Sequence, residues 1–320
     1  MIHVVGEGTV VVGTVTRDFV ESPAVTLDGE LGGSASYFGL AARHFGPVQL
    51  IAPVGQDSEA EARDLLAFAD LRCLSVVDQP TYQWHARRAS AGGEAETIGR
   101  FTGSSDGYRP SVEGAEGWAR IVFLGSCDPI AQLDVVRAAP RGALVAADTM
   151  DIFIRQQREL VGRVVAASRI LLGTETELVL LAGGEADAPA SLLMARFGLD
   201  CVVVKKGADG AELWTPAAIY ELPAYPVDAV DPTGAGDALA GGFLGRLGQR
   251  LPDDSDRQWL RDEEYPALRS SDLVEALRWG MVCASFAVQA PGLSGLVGLT
   301  REALLDRMSR YQLTVQQEVP

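Results

Sequence analysis

The seven residues Asp231-Pro232-Thr233-Gly234-Ala235-Gly236-Asp237 have the types and spacing for chemistry on an anion. Pro232 lacks an N–H and stops the extended segment that ends at Val230. Gly234 and Gly236 allow backbone conformations and close approaches that a side chain would block. The small-residue run 238–245 predicts a buried helix starting near Ala235. The first amides of such a helix have no intrahelical acceptor, and with the helix dipole they form an anion seat. Asp237 stands in the first turn beside that seat. A carboxylate next to a bound phosphate makes sense if it takes the proton from a hydroxyl that attacks the phosphate. A turn followed by a helix whose N-terminus merely favours an acid is the plainer alternative for these residues alone.

Other candidates sit at the ends of apolar runs. Thr174-Glu175-Thr176-Glu177 follows Ile170-Leu171-Leu172 and has the spacing of a capping box. Asp148 ends the run 143–147, where a parallel strand would present its ligand-binding end; a helix cap is an equal alternative. Lys205 and Lys206 close a valine-rich run and lead into Gly207-Ala208-Asp209-Gly210. They are the only lysines in the chain. A lysine here would offset polyphosphate charge, with a solvated turn as the alternative. Gly6-Glu7-Gly8 is followed by the β-branched run 9–16 and not by a helix, which excludes a dinucleotide fingerprint, and no G-x-x-x-x-G-K-[ST] occurs.

A net charge of −16 over 320 residues argues against nucleic acid or an anionic membrane as partner. A seat built from backbone amides needs no basic patch, so phosphate chemistry survives that exclusion. No apolar run is long enough to span a bilayer and no basic-then-apolar leader opens the chain, so a cytoplasmic location is expected. Cys73, Cys127, Cys201 and Cys283 are scattered without a C-x-x-C and read as buried free thiols. His3, His44 and His85 lack the spaced partners of a metal site or a catalytic triad.

The elements that must position these residues follow from periodicity. Residues 2–5 and 9–16 read as strand, and 25–31 as a returning strand. Gly32-Gly33 turns into a helix that Gly46-Pro47 stops. A strand at 48–54, a helix at 59–68 and a strand at 73–77 come next. Residues 80–103, with Gly92-Gly93 inside, read as a β-hairpin away from the main sheet. From residue 121 the pattern alternates regularly. Strands are expected at 121–125, 143–147, 168–172 and 201–205, and helices at 129–138, 151–166, 175–182 and 188–197. This predicts an α/β fold whose parallel sheet is covered on both faces. The acidic stretch 251–270 reads as an exposed insertion, and 273–288 and 301–311 as terminal helices.

The run 231–245 resembles the D-[TP]-x-G-A-G-D signature of the ribokinase-like (PfkB) carbohydrate kinases. Gly32-Gly33-Ser34-Ala35-Ser36-Tyr37 through Gly46 resembles the family's G-G-x-x-x-N-x-A-x-x-x-x-x-L-G, and Gly55-Gln56-Asp57 continues it. Tyr37 and Thr174 stand where members carry Asn, and Lys205 takes the Thr position of T-x-G-x-x-G. The resemblance covers nearly the whole chain. It implies a three-layer ribokinase-like fold, one domain over 1–320, with a small β-sheet lid from segments near 10–31 and 80–103. It implies ATP-dependent phosphorylation of a hydroxyl on a small-molecule sugar or polyol, with a nucleoside as the alternative. Asp237 would be the general base, with the Gly234, Ala235 and Gly236 amides holding transferred charge. Thr174, Glu177, Lys205, Gly207 and Gly210 would meet ATP, and Glu177 and Asp148 the Mg²⁺ shell. Asp18, Gly32, Gly33 and Ser36 would meet substrate. One of Arg87, Arg88 and Arg100 could reach the phosphates from the lid. K⁺ could bind near residues 289–294, and lids could pair into a homodimer. Tyr37, Phe38, Tyr82 and Trp84 could stack on a base or simply pack the lid. A catalytically silent binding protein on the same fold is the rival from another class; the intact Asp237 and Gly-Ala-Gly argue against it.

Overall fold

Valine- and isoleucine-rich runs bounded by turn residues become strands, as side chains suited to a pleated buried surface should. The computed structural model describes residues 8–90, 96–101, 103–112, 119–140, 142–184, 187–251, 268–311 and 316–318. Its strands are β1 Gly8–Val12, β2 Thr16–Glu21, β3 Thr26–Gly32, β4 Val48–Gly55, β5 Leu74–Val77, β6 Gln83–Arg87, β7 Glu96–Phe101, β8 Ala119–Leu124, β9 Leu144–Asp148, β10 Ile170–Thr174, β11 Cys201–Lys205, β12 Ala211–Trp214, β13 Ala218–Leu222 and β14 Gln316–Glu318. The helices are α1 Ser34–Ala42, α2 Glu59–Leu65, α3 Pro129–Ala138, α4 Asp151–Gln156, α5 Arg158–Ala166, α6 Glu175–Ala182, α7 Pro189–Phe197, α8 Ala235–Gly248, α9 Ser270–Ala287, α10 Ser294–Val297 and α11 Arg301–Arg310.

Among the described residues, ten strands form one sheet in the order β14-β13-β12-β11-β10-β9-β8-β1-β4-β5. From β11 to β5 every neighbour is parallel, and β12 to β14 close one edge antiparallel. Every residue of β1 and β4 is buried, the mark of strands covered on both faces. A second sheet, β3-β2-β6-β7, stands apart. Asp57 secures the entry to β6: its Oδ1 accepts from the Thr81 amide and hydroxyl, both at 2.9 Å.

Several expectations need correction. The lid segment was expected from residue 10, but Val10–Val12 pair with β4 and β8 in the central sheet, and the second sheet starts at Thr16. The strand of the run 9–16 therefore breaks at residues 13–15 and serves two sheets. The helix expected over 151–166 is two helices, interrupted at Gln157 with φ −136°. The strand at 2–5, the Gly92-Gly93 turn and most of the acidic stretch, residues 252–267, lie outside the described residues. The four cysteines are buried, and none forms a disulfide among the described residues.

Helix α8 runs between α1 and α9, and its small residues are dictated by how closely it is gripped. A Cβ on Gly241 would collide with the Phe38 carbonyl of α1. One on Gly242 would lie 2.7 Å from Cys283 Sγ of α9. Leu239, Phe243, Leu244 and Leu247 fill the core around these contacts. Replacing Gly241 by valine should cost about 1–3 kcal/mol or more, because interiors packed to crystal density resist added volume. A thermal melt of Gly241→Val matching the parent would show that α8 has room the structure does not reveal.

Candidate active site

The start of α8 is built from glycine geometry. Gly234 precedes the helix in the left-handed region, φ 70°, where glycine carries no steric penalty. The Ala235 amide bonds to the Pro232 carbonyl, and the first intrahelical bond runs from Ala238 N to Gly234 O at 2.9 Å. The amides of Gly236 and Asp237 therefore precede the helical ladder and face outward from it, whereas the Ala235 amide, expected with those of Gly234 and Gly236 to hold transferred charge, is spent on the Pro232 carbonyl. Tyr37 of α1 lies flat against Gly234, so closely that a Cβ there would strike its ring. Gly236 is less tightly held: a Cβ there would come 3.2 Å from Lys205 Nζ, the movable end of a side chain.

Parallel register brings the other candidates to this point. Leu172 of β10 aligns with Asp148 of β9, and Thr174 aligns with Lys205 of β11, so these residues share the carboxyl edge of the sheet. Lys205 Nζ donates to both Asp148 oxygens, at 2.7 and 2.6 Å, and both side chains are largely buried. Burial opposes the Lys205 charge, but Asp148, Glu177 and Asp237 raise its pKa overall. Thr174 and Glu177 complete the capping box, with Thr174 N to Glu177 Oε2 at 2.8 Å. Burial first, and Asp148 in addition, push the Glu177 carboxyl up against the opposing pull of Lys205. Burial and then Asp148 push the Asp237 carboxyl up to about 7. Gly207, φ 58°, faces open space, whereas a Cβ on Gly210 would run into the Leu222 carbonyl. Gly210 is thus explained by packing against the end of β13.

In front of α8 lies a cavity of about 370 Å³, lined by Asp237, Gly234 and Thr233 on one side and by Asp18, Gly33 and Trp84 on another. Asp18 is buried and accepts from Thr16 Oγ1 at 2.6 Å; burial pushes its carboxyl up to about 7, with Asp231 and Glu30 adding to the rise. Gly32 is glycine because the Asp18 carboxylate occupies the place of its side chain. Ser36 departs from expectation: its hydroxyl donates to the Gly32 carbonyl at 2.8 Å, and it does not line the cavity. Phe38 is also turned away, stacked on Phe123 in the core at 4.5 Å. Tyr37, Tyr82 and Trp84 do line the cavity.

The arginines separate. Arg87 is exposed and pairs with Glu21 at 3.1 Å. Arg100 stands opposite Trp84 in the β6–β7 register, and its side chain lies outside the described residues. Arg88 is buried, and its Nη2 donates to Thr233 Oγ1 at 2.9 Å. Asp231 Oδ1 accepts from the Thr233 amide and hydroxyl at 3.0 and 2.6 Å, and Oδ2 accepts from Gly292 N at 2.9 Å. This brings the loop 289–294 beside Asp231. Sequence reasoning missed Ser126, Asp128, Met150 and Phe153 on the cavity wall. Their only local signal was the Asp128-Pro129 helix start, where Asp128 Oδ1 accepts from Ile130 N at 2.8 Å.

Comparison with known proteins follows the same lines. The family profile "pfkB family carbohydrate kinase" matches residues 26–297. An ATP-dependent ribose-1-phosphate kinase of Halopiger xanaduensis is 33% identical over 131 residues, 41% of this chain and 36% of that protein. An aminoimidazole riboside kinase of Salmonella typhimurium is 40% identical over 86 residues, 27% of each chain. The chain thus spans about a quarter to a third of the length of these curated relatives. A Burkholderia thailandensis nucleoside kinase in complex with inosine superposes with TM-score 0.74 at 15% identity, covering 95% of this chain and 98% of that one. A Giardia lamblia ribokinase does so with TM-score 0.74 at 19% identity, covering 95% and 99%. Both likenesses are of fold.

Two outcomes test this electrostatic arrangement. Asp18 binds its proton more tightly folded than unfolded, so its contribution to stability is present below about pH 4 and lost as pH rises through about 7. Asp18→Asn should therefore melt higher than the parent at pH 8, by an excess that shrinks toward pH 5; an equal difference at both pH values would contradict the burial of that charge. Lys205→Met leaves Asp148 buried without its partner and should cost about 3–5 kcal/mol in urea unfolding at pH 8. A loss below about 1 kcal/mol would place the pair among ordinary surface bridges.

Proposed function

The chain belongs to the pfkB family of carbohydrate kinases, and on that premise we propose that it transfers the γ-phosphoryl group of ATP to a hydroxyl of a small sugar, polyol or nucleoside. The observation that carries this reading is Asp237, standing in the first turn of α8 beside the unpaired helix-start amides and facing a 370 Å³ cavity. A carboxyl held near 7 is matched to proton transfer at neutral pH. Asp237 Oδ takes the acceptor's hydroxyl proton while the Gly236 and Asp237 amides hold charge on the phosphoryl group in transit. Asp18 accepts from the acceptor's other hydroxyls and fixes its orientation. The sheet that carries Asp18 and Trp84 acts as the lid, keeping water from the reacting centre.

The residues at the carboxyl edge suit a magnesium–nucleotide. Carboxylate oxygens of Glu177 and Asp148 are hard donors suited to Mg²⁺ and its water shell, while the Lys205 ammonium and the outward helix amides suit phosphate oxygens. Among the described residues no group of three or more His, Cys, Asp and Glu gathers to hold a metal directly. Glu177 and Asp148 would accordingly hold Mg²⁺ through its water shell, and bound Mg²⁺ would screen the phosphate charge. Lys205 would exchange part of its contact with Asp148 for phosphate oxygen, and the open face of Gly207 would admit the nucleotide. The aromatic wall formed by Tyr37, Tyr82 and Trp84 favours an acceptor with a flat ring, which keeps a nucleoside as the second reading.

The test is phosphoryl transfer from ATP with Mg²⁺ to a panel of sugars, polyols and nucleosides, followed by ADP release and ³¹P NMR of the product. Asp237→Asn should lower kcat by about 10²–10⁴-fold with a smaller change in KM and a melting temperature no lower than the parent's. Activity of the variant within a few-fold of the parent would remove Asp237 as the base.

A further inference from the structure

Arg88 belongs to one sheet by its backbone and to the other by its side chain. Its amide donates to the Glu21 carbonyl of β2 at 2.8 Å, which anchors it in the small sheet. Its guanidinium crosses to the loop before α8, where Nη2 reaches Thr233 Oγ1 and Nε stands 4.0 Å from Asp231 Oδ1. The side chains of Arg88 and Asp231 are 6% and 0% exposed. An arginine that serves only as a surface strap has no need to lose its hydration so completely, and burial does pull its pKa down.

The hydrogen-bond directions form a single chain. Arg88 donates to Thr233 Oγ1, so that hydroxyl's own proton is free to go to Asp231 Oδ1, at 2.6 Å. Asp231 Oδ1 also holds the Thr233 amide, and Oδ2 holds the Gly292 amide. Thr233 is followed at once by Gly234, whose left-handed conformation starts α8. Resting on the phosphotransfer reading above, we propose that Arg88 is a positioning residue that sets the anion seat from the lid. Docked, it holds Thr233 and Asp231 in the rotamers that aim the Gly236 and Asp237 amides. When the lid swings out, Arg88 leaves, and the seat loosens. Phosphoryl transfer is thereby tied to a lid closed over the acceptor, because Asp18 lies in β2 and Arg88 is bonded to the end of that strand through the Glu21 carbonyl.

Hydrogen exchange on the 320-residue chain tests this without any substrate. In Arg88→Met the segment 231–237 should exchange roughly tenfold faster or more, the size expected when one charge-assisted hydrogen bond is lost, while the central strands keep their protection. Thr233→Val should do the same, and the double variant should add nothing further. Unchanged exchange at 231–237, or a uniform rise through the core, would overturn the proposal. Kinetics supply the second readout. With the acceptor that the parent uses best, Arg88→Met should lose at least about tenfold in kcat and raise the ratio of ATP hydrolysis to transfer, with Arg88→Lys intermediate. A loss of transfer with an unchanged ratio would also overturn it. Failure of the parent to phosphorylate any acceptor would instead sink the kinase reading, and the exchange result would still decide the role of Arg88.

Discussion

The grip of α1 and α9 on α8 is tight enough that backbone meets backbone, with no side chain between Gly241 and the Phe38 carbonyl. Helices that approach this closely cannot slide or rotate without collisions, since packed interiors are nearly incompressible. The consequence is felt one end of the helix away. With α8 immobilised along its length, its first turn is fixed in space, and the outward amides and Asp237 are fixed with it. The same contact brings α1 alongside, so Gly33, Ser34 and Tyr37 are delivered to the cavity by the helix that holds the seat in place. Pre-organised donors cost nothing to align at the moment of reaction, which is where their value to phosphoryl transfer would lie.

Around that rigid helix the charges are arranged so that acids outnumber cations. Among the described residues, Asp18, Asp148, Glu177, Asp231 and Asp237 crowd the region, and Lys205 and Arg88 are the buried cations tied into it. Each cation is already committed: Lys205 to Asp148, Arg88 to Thr233 and Asp231. Burial first, and the neighbouring carboxylates in addition, hold the carboxyls of Asp18 and Asp237 near 7. A magnesium–nucleotide, bringing both a cation and new anionic oxygens, would redistribute these pairings.

The family assignment and the fold rest on long signatures and on superposition over nearly the whole chain. They leave acceptor identity to the cavity itself. Its wall combines a carboxylate of the second sheet with aromatic rings, and Tyr37 lies against Gly234. The Tyr37 hydroxyl is buried without a hydrogen-bond partner among the described residues. Burial and the surrounding carboxylates of Asp18, Asp231 and Asp237 keep it protonated, so it has a proton to give a ligand oxygen if one comes within reach.

Local chemistry was legible in the sequence, and partnership was not. The start of α8, its small-residue face, the capping box at Thr174–Glu177 and the βα alternation after residue 121 all follow from turn chemistry, propensity and periodicity. These act over a few residues and can be read along the chain. Which sheet the strand at Val10–Val12 would join could not be read this way, because a buried β-branched run suits either. Nor could the destination of Lys205, which meets Asp148 fifty-seven positions away, or of Arg88, which meets Thr233 one hundred and forty-five positions away. Ser36 looked like a substrate contact and instead bonds the carbonyl four residues back, a local bond that competes with any ligand for its hydroxyl. Sequence determined which elements form and which residues could act; tertiary structure decided which charges meet, since strand register and helix packing alone set those distances.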